Sequence, residues 1–217
     1  MINICFHGIG TPGRDLEPDE AGYWIGEDLY RRILDEVHDR SDVALSFDDG
    51  NASDIEIGLP RLLDAGRVAS FFVLAGRLDR KGSLRADDVR ELRHHGMGVG
   101  SHGMDHVPWR RLSEPRQHVE LDQARSLIAG VIGEPVLEAA LPLGRYDRQV
   151  LRELRRRGYT RVFSSDRRRA RTSSWLQPRY SVHAGDTITS VRSSILAPPP
   201  PAQAATAQVK GLVKRLR

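Results

Sequence analysis

Cysteine is almost absent from these 217 residues. The single one, Cys5, excludes an internal disulfide, and its place inside an apolar run reads as a small buried hydrophobe. Long apolar runs are missing as well: no stretch approaches the roughly 18 consecutive apolar residues that a membrane-crossing helix needs. The N-terminal Met1-Ile2-Asn3-Ile4-Cys5-Phe6-His7 has neither a basic leader nor a small-residue cleavage site. It reads as a first core strand rather than a secretory signal, and a cytoplasmic protein is expected. Lysine is scarce, nearly all of the 33 basic residues being arginine, against 29 acidic ones. The resulting charge of +4 permits contact with phosphate or an anionic surface. The arginine clusters at Arg155 to Arg157 and Arg167 to Arg169 carry no interleaved aromatics and no nucleic-acid motif, so nucleic acid is not an expected partner. There is no internal repeat, and the length suits one domain with a tail while excluding two full domains with linkers.

What is present is organised around Val43-Ala44-Leu45-Ser46-Phe47-Asp48-Asp49-Gly50, an apolar run stopped by two carboxylates and a glycine. The run predicts a buried strand. Adjacent acids where a strand leaves the core repel each other, and a cation or a shared proton resolves the conflict. Some fifty residues on stands Ser101-His102-Gly103-Met104-Asp105-His106. Two histidines at i and i+4 are expected on one side of a helical turn, with imidazoles close enough to share an ion. Alone, the pair reads equally well as two unrelated surface histidines. Together with the acids it makes a set of two nitrogens and one carboxylate with open positions, as hydrolytic zinc and other divalent sites use to hold a water.

Along the chain, strands and helices alternate about seven times. Strands are expected at the N-terminus, Val43 to Phe47, Val68 to Leu74, Met97 to Gly100, Val136 to Leu141, Thr160 to Ser164 and Gln177 to His183. Between them lie amphipathic helices, one bearing Leu29, Ile33, Leu34 and Val37, another Val150, Leu151 and Leu154. Ser53 to Glu56 has the form of a capping box, and Pro60 predicts a kink or restart in the helix that follows. The pattern is α/β, either an open parallel sheet or an incomplete barrel. His7, Asp48, Asp49, His102, Pro142 and His183 all fall at C-terminal strand ends, where barrels assemble their sites, which favours the barrel. The domain is expected over residues 1–196. A Pro/Ala-rich basic tail, 197–217, follows; its Val209, Leu212, Val213 and Leu216 among lysines and arginines suit a short amphipathic helix, with weak contact to a membrane surface as one use.

Ser-Phe-Asp-Asp-Gly followed by Ser-His-x-x-x-His resembles the first two motifs of the polysaccharide deacetylases with a NodB-type domain, carbohydrate esterase family four. The resemblance covers roughly residues 1 to 190 and implies a distorted (β/α)7 barrel. It also implies Asp48 as general base, and Asp49, His102 and His106 as ligands of a divalent metal, zinc first, with cobalt or manganese as alternatives. The family's late Leu-x-His, which supplies the general acid, does not occur at the expected place; His183 and His7 are the candidates. The third motif, Arg-x-Pro-Tyr, is matched only by Ala140-Leu141-Pro142-Leu143, without its arginine. Ala139-Ala140-Leu141-Pro142-Leu143-Gly144 instead resembles the Phe-Ala-Tyr-Pro-Phe-Gly of a subgroup in which a late Pro-Arg strand recurs, here Pro178-Arg179-Tyr180. Arg179 is therefore expected to reach Asp48. Trp109, just past the histidines, offers a face for a sugar ring or a side chain for the core.

The leading expectation is a metal-dependent hydrolase that removes acetyl groups from N-acetylated sugars of a glycan or glycolipid. A deformylase or amidase acting on another small or lipid-linked amide through the same site is the alternative, and a non-catalytic glycan-binding barrel a third reading. A bound metal separates the enzyme from the module.

Overall fold

A computed structural model describes residues 1–198. The remainder of the expected tail, with its amphipathic helix, lies outside the described residues. Eight strands, all parallel, form one sheet: β1 Ile2–Phe6, β2 Val43–Asp49, β3 Ala69–Val73, β4 Gly98–Ser101, β5 Glu138–Ala140, β6 Arg161–Ser164, β7 Leu176–Pro178 and β8 Tyr180–Ser181. Their order is β8-β1-β2-β3-β4-β5-β6-β7. The two edges of the sheet are thus halves of one chain segment, separated only by Arg179, and together they draw it into a nearly closed barrel of a single domain. The expected seventh strand, Gln177 to His183, is broken in two. The reason is visible in the backbone: the Arg179 N–H donates to Ser164 O (2.8 Å) and its carbonyl accepts from the Arg167 N–H (2.9 Å), so at this residue the chain is still tied to the β6 side. Two residues on, Ser181 is in register with Cys5 of β1.

The pleat sorts side chains into two environments. Ile2, Ile4, Phe6, Leu45, Phe47, Phe71 and Val73 point outward into the main core beneath the helices. Phe47 stacks on Phe71 at 4.5 Å, and burying each such side chain stabilises the fold by about 1.5–3 kcal/mol. The alternate residues fill a polar lumen. Asn3 donates to Gln177 Oε1 (3.1 Å), and Arg179 reaches Ser46 and Asp48 from between the rings of Phe72 and Phe163.

Around the sheet run α1 Glu27–Val37, α2 Leu59–Asp64, α3 Ala86–His94, α4 Glu114–Gln117, α5 Ala124–Ile132, α6 Arg148–Arg156 and α7 Ile188–Val191. In α1 the buried face is Tyr30, Ile33, Leu34 and Val37, a spacing of three and four residues. In α6, Asp147 caps the N-terminus by accepting from Val150 N (3.0 Å), and Val150 and Leu154 face inward. Pro60 sits in the first turn of α2, so the helix restarts there after a π-helical stretch at Asp54–Gly58. The expected capping box at Ser53 is absent: its hydroxyl accepts from Ile9 N (3.2 Å) instead, tying the helix start to the segment after β1. That segment, Gly8–Ile9, pairs with Trp24–Ile25, and a side chain at Gly8 would enter the Trp24 ring. Residues 10 to 23 are thereby looped toward the C-terminal end of the barrel.

Candidate active site

Asp48 and Asp49 end β2, and both are buried, at 3% and 1% exposure. Successive strand residues point to opposite faces, but Asp49 takes a left-handed φ of 77°, which an aspartate tolerates better than most residues. Asp48 lies in the lumen. The Arg179 guanidinium grips it with two parallel bonds of 2.6 Å, one to each oxygen. Burial alone would raise the Asp48 carboxyl; Arg179, with His102 behind it, overcomes that and holds it well below the usual carboxylate range. Arg179, likewise buried, is held firmly protonated by the same pairing.

His102 follows β4. Its ring Nδ1 lies 3.0 Å from the Ala140 carbonyl, which can only accept, so Nδ1 carries the hydrogen and Nε2 is left with a lone pair. Burial, only partly offset by Asp48 and Asp49, pushes this imidazole down to about 4, so it is neutral at ordinary pH. His106 is oriented the same way: Nδ1 lies 2.7 Å from Glu17 Oε2. Both Nε2 atoms face Asp49 Oδ1 at 3.4 Å. That oxygen is buried and has no hydrogen-bond partner. The ligand atoms of Asp49, His102 and His106 lie within 4.8 Å of one another. Two lone pairs and a carboxylate oxygen converging in a buried place repel unless a cation lies among them, so this donor set fits a divalent metal.

The two histidines do not share a helical turn. Residues 102–106 form an irregular loop with positive φ at Gly103 (91°) and His106 (54°). The loop's own carbonyls are used elsewhere, Gly103 O accepting from Ala75 N (2.9 Å) and Met104 O from Gly76 N (3.1 Å). Glu120, fully buried, accepts from Met104 N (2.8 Å) and from Arg116 (3.0 Å). A Cβ at Gly103 would stand 2.6 Å from that carboxylate, so glycine is required.

Residues 35–162 match the family model described as polysaccharide deacetylase. The chain belongs to the polysaccharide deacetylase family. The matched span holds Asp48, Asp49, His102 and His106, whereas His7, Arg179 and His183 lie outside it. A similar protein in Bacillus subtilis (strain 168) is YxkH, named provisionally as a polysaccharide deacetylase, 26% identical over 117 residues. The alignment covers 54% of this chain and 42% of YxkH, so the chain spans less than half of that relative's length. Among solved structures, the Streptococcus pyogenes deacetylase PplD in complex with acetate superposes with a TM-score of 0.77 at 17% identity, over 91% of this chain and 98% of that one. The de-N-acetylase from Aggregatibacter actinomycetemcomitans gives 0.74 at 14% identity, over 88% and 98%. At these identities the likeness is one of fold.

The other candidates of this deacetylase-family chain are placed unequally. His7, after β1, packs against Tyr23 with the rings tilted (centroids 4.8 Å), and Tyr23 packs in the same way against His183 (4.5 Å). A His7 ring nitrogen lies within 4.8 Å of an Asp48 oxygen. His183 is pushed down by burial and by Arg167, with Asp186 opposing. Trp109 is 2% exposed and packs with Leu121, Tyr146 and Leu154, so it offers no face to a sugar. The arginine runs are engaged with their own chain, Arg155 over the Trp175 ring, Arg157 on Asp122, Arg167 on Ser181 O. Glu17 and Glu120, which hold the histidine loop, were not anticipated. Glu17, paired also with Arg77, contacts His106 across 89 positions and left no local signal. Among the described residues, no helix is long and apolar enough to cross a membrane.

Proposed function

We propose that the chain is a metal-dependent hydrolase that removes acetyl groups from N-acetylated sugars of a glycan or glycolipid. In this reading Asp48 is the general base, Arg179 its positioning residue, and His7 the proton donor. Asp49, His102 and His106 hold a divalent ion, zinc first, with cobalt or manganese as alternatives. The observation that carries the reading is the convergence of those three ligand residues, with an orphaned oxygen at Asp49, directly beside the Asp48–Arg179 pair.

A divalent ion in such a site polarises an acyl oxygen and acidifies a water. The rest falls to the chain's own groups. Asp48, kept ionised by its pairing with Arg179, would accept the proton of the attacking water. Arg179 fixes the plane of that carboxylate through both oxygens, so its free lone pairs have one direction. Departure of the sugar amine requires a proton. His7 is favoured over His183 because its ring nitrogen lies within 4.8 Å of an Asp48 oxygen and the Tyr23 ring packs against it. Leu143, exposed at 51% with φ 54°, places an apolar side chain in the turn after β5. Family membership supports an acetylated sugar as substrate, and the acetate complex of the streptococcal relative is in keeping with an acetyl group.

The test is acetate release from a panel of N-acetylated oligosaccharides by protein of known metal content. Activity that disappears on chelation and returns with Zn²⁺, Co²⁺ or Mn²⁺ is expected. Release of formate or another acyl group from non-sugar amides, with none from any N-acetylated sugar, would overturn the substrate; absence of metal uptake would overturn the ligand set.

A further inference from the structure

The lumen contains a second group of ligand atoms. Cys5 and His7, two residues apart on one strand face, look toward Asp48, and the thiol sulfur, a His7 ring nitrogen and an Asp48 oxygen all lie within 4.8 Å of one another. Nothing in the hydrolytic reading uses the sulfur. Cys5 is fully buried, and its thiol donates to Phe6 O at 3.5 Å and lies beside the Ser46 hydroxyl. The Nδ1 of His7 is buried with no partner. We infer that Cys5, His7 and Asp48 form a second cation site, selective for soft divalent ions, which when filled occupies the base and the proton donor and so inhibits the enzyme.

The chemistry of the donors sets the selectivity. Sulfur, imidazole and carboxylate together suit zinc and, more strongly, softer ions such as cadmium, whereas the Asp49 set offers only nitrogen and oxygen. The order of filling follows from Arg179. Its guanidinium, 2.6 Å from both Asp48 oxygens, opposes a cation, yet each oxygen keeps a second lone pair that the fork does not occupy. The second site is therefore the weaker one and fills only after the Asp49 set is saturated. The inhibitory consequence rests on the hydrolytic reading; the site itself does not.

Cys5 is the only thiol in the chain, so a sulfur-to-cobalt charge-transfer band in the near ultraviolet reports this site alone. Titration of the metal-free protein with Co²⁺ should show two ions bound per chain, the band growing with the second. Cys5→Ser, which keeps the volume of the side chain, should bind one ion and show no band, while Asp49→Asn should keep the band. Excess Zn²⁺ or Cd²⁺ should suppress acetate release by the parent and leave Cys5→Ser active. A parent that saturates at one ion without a sulfur band overturns the second site, whatever its activity. Inhibition that persists in Cys5→Ser overturns the inhibitory role. A protein that shows the band but hydrolyses nothing upholds the site and removes the hydrolase reading instead.

Discussion

Arg179 is the largest fully buried side chain of the described residues, and it is charged. A guanidinium is tolerated there because Asp48 neutralises it and two aromatic rings flank it. Removing one partner leaves the other charge stranded. Arg179→Met should therefore lower the unfolding free energy by about 3–5 kcal/mol, and combining it with Asp48→Asn should restore part of the loss. Denaturant unfolding of the four proteins in the cycle checks this; strict additivity would count against the pair. Asp54 is another buried acid, 1% exposed. Burial, reinforced by Asp49 and Asp48, pushes its carboxyl well up. A raised acid favours the protonated fold, so its cost is small near pH 4 and grows as the pH rises above the ordinary carboxylate range. Asp54→Asn, a neutral isostere, should raise the Tm of the metal-free protein at pH 7 and change it little near pH 4. Equal effects at the two pH values would contradict the assignment. At this scale the sequence showed the acids and histidines because each pair is contiguous or four apart. Arg179 was legible only through the company of Pro178 and Tyr180, and Glu17 was not legible, because its partner lies 89 residues away.

Among the elements, the loop from His102 to His106 departs furthest from the sequence reading. A spacing of four satisfies a helical turn, but equally a loop whose backbone is held from outside, and periodicity cannot tell the two apart. Glu120 does the holding, through Met104 N, and Glu17 fixes the His106 ring. Glu17→Gln should lose about 10- to 100-fold in metal affinity, as outer partners of ligating histidines usually cost, while the melting of the metal-free protein stays nearly unchanged. Competition against a chelator of known affinity measures it; unchanged affinity would mean that His106 is oriented by its loop alone. The seventh strand shows a similar limit. Residues 177 to 183 read as one strand, but Arg179 N and O are bonded to β6 and the loop after it, a switch made by backbone bonds to distant residues.

For the whole molecule, alternation of strand and helix together with the clustering of polar residues at strand ends was enough to anticipate a barrel. The closing contact was not visible, since β8 meets β1 across more than 170 residues. The same closure gathers the candidate residues: His7 follows β1, the two acids end β2, the two histidines lie in the loop after β4, and Arg179 sits in the β7–β8 break. The most direct test is steady-state acetate release by metal-loaded Asp48→Asn beside the parent and Asp49→Asn. Asn keeps the shape of Asp but accepts no proton. Asp48→Asn should retain its metal and lose about 100- to 10,000-fold in kcat, whereas Asp49→Asn should lose metal first and recover partly in excess Mn²⁺, a hard ion that the thiol-containing group does not favour. Full activity in Asp48→Asn, on a substrate the parent hydrolyses, would contradict the assignment of the base and the account built on it.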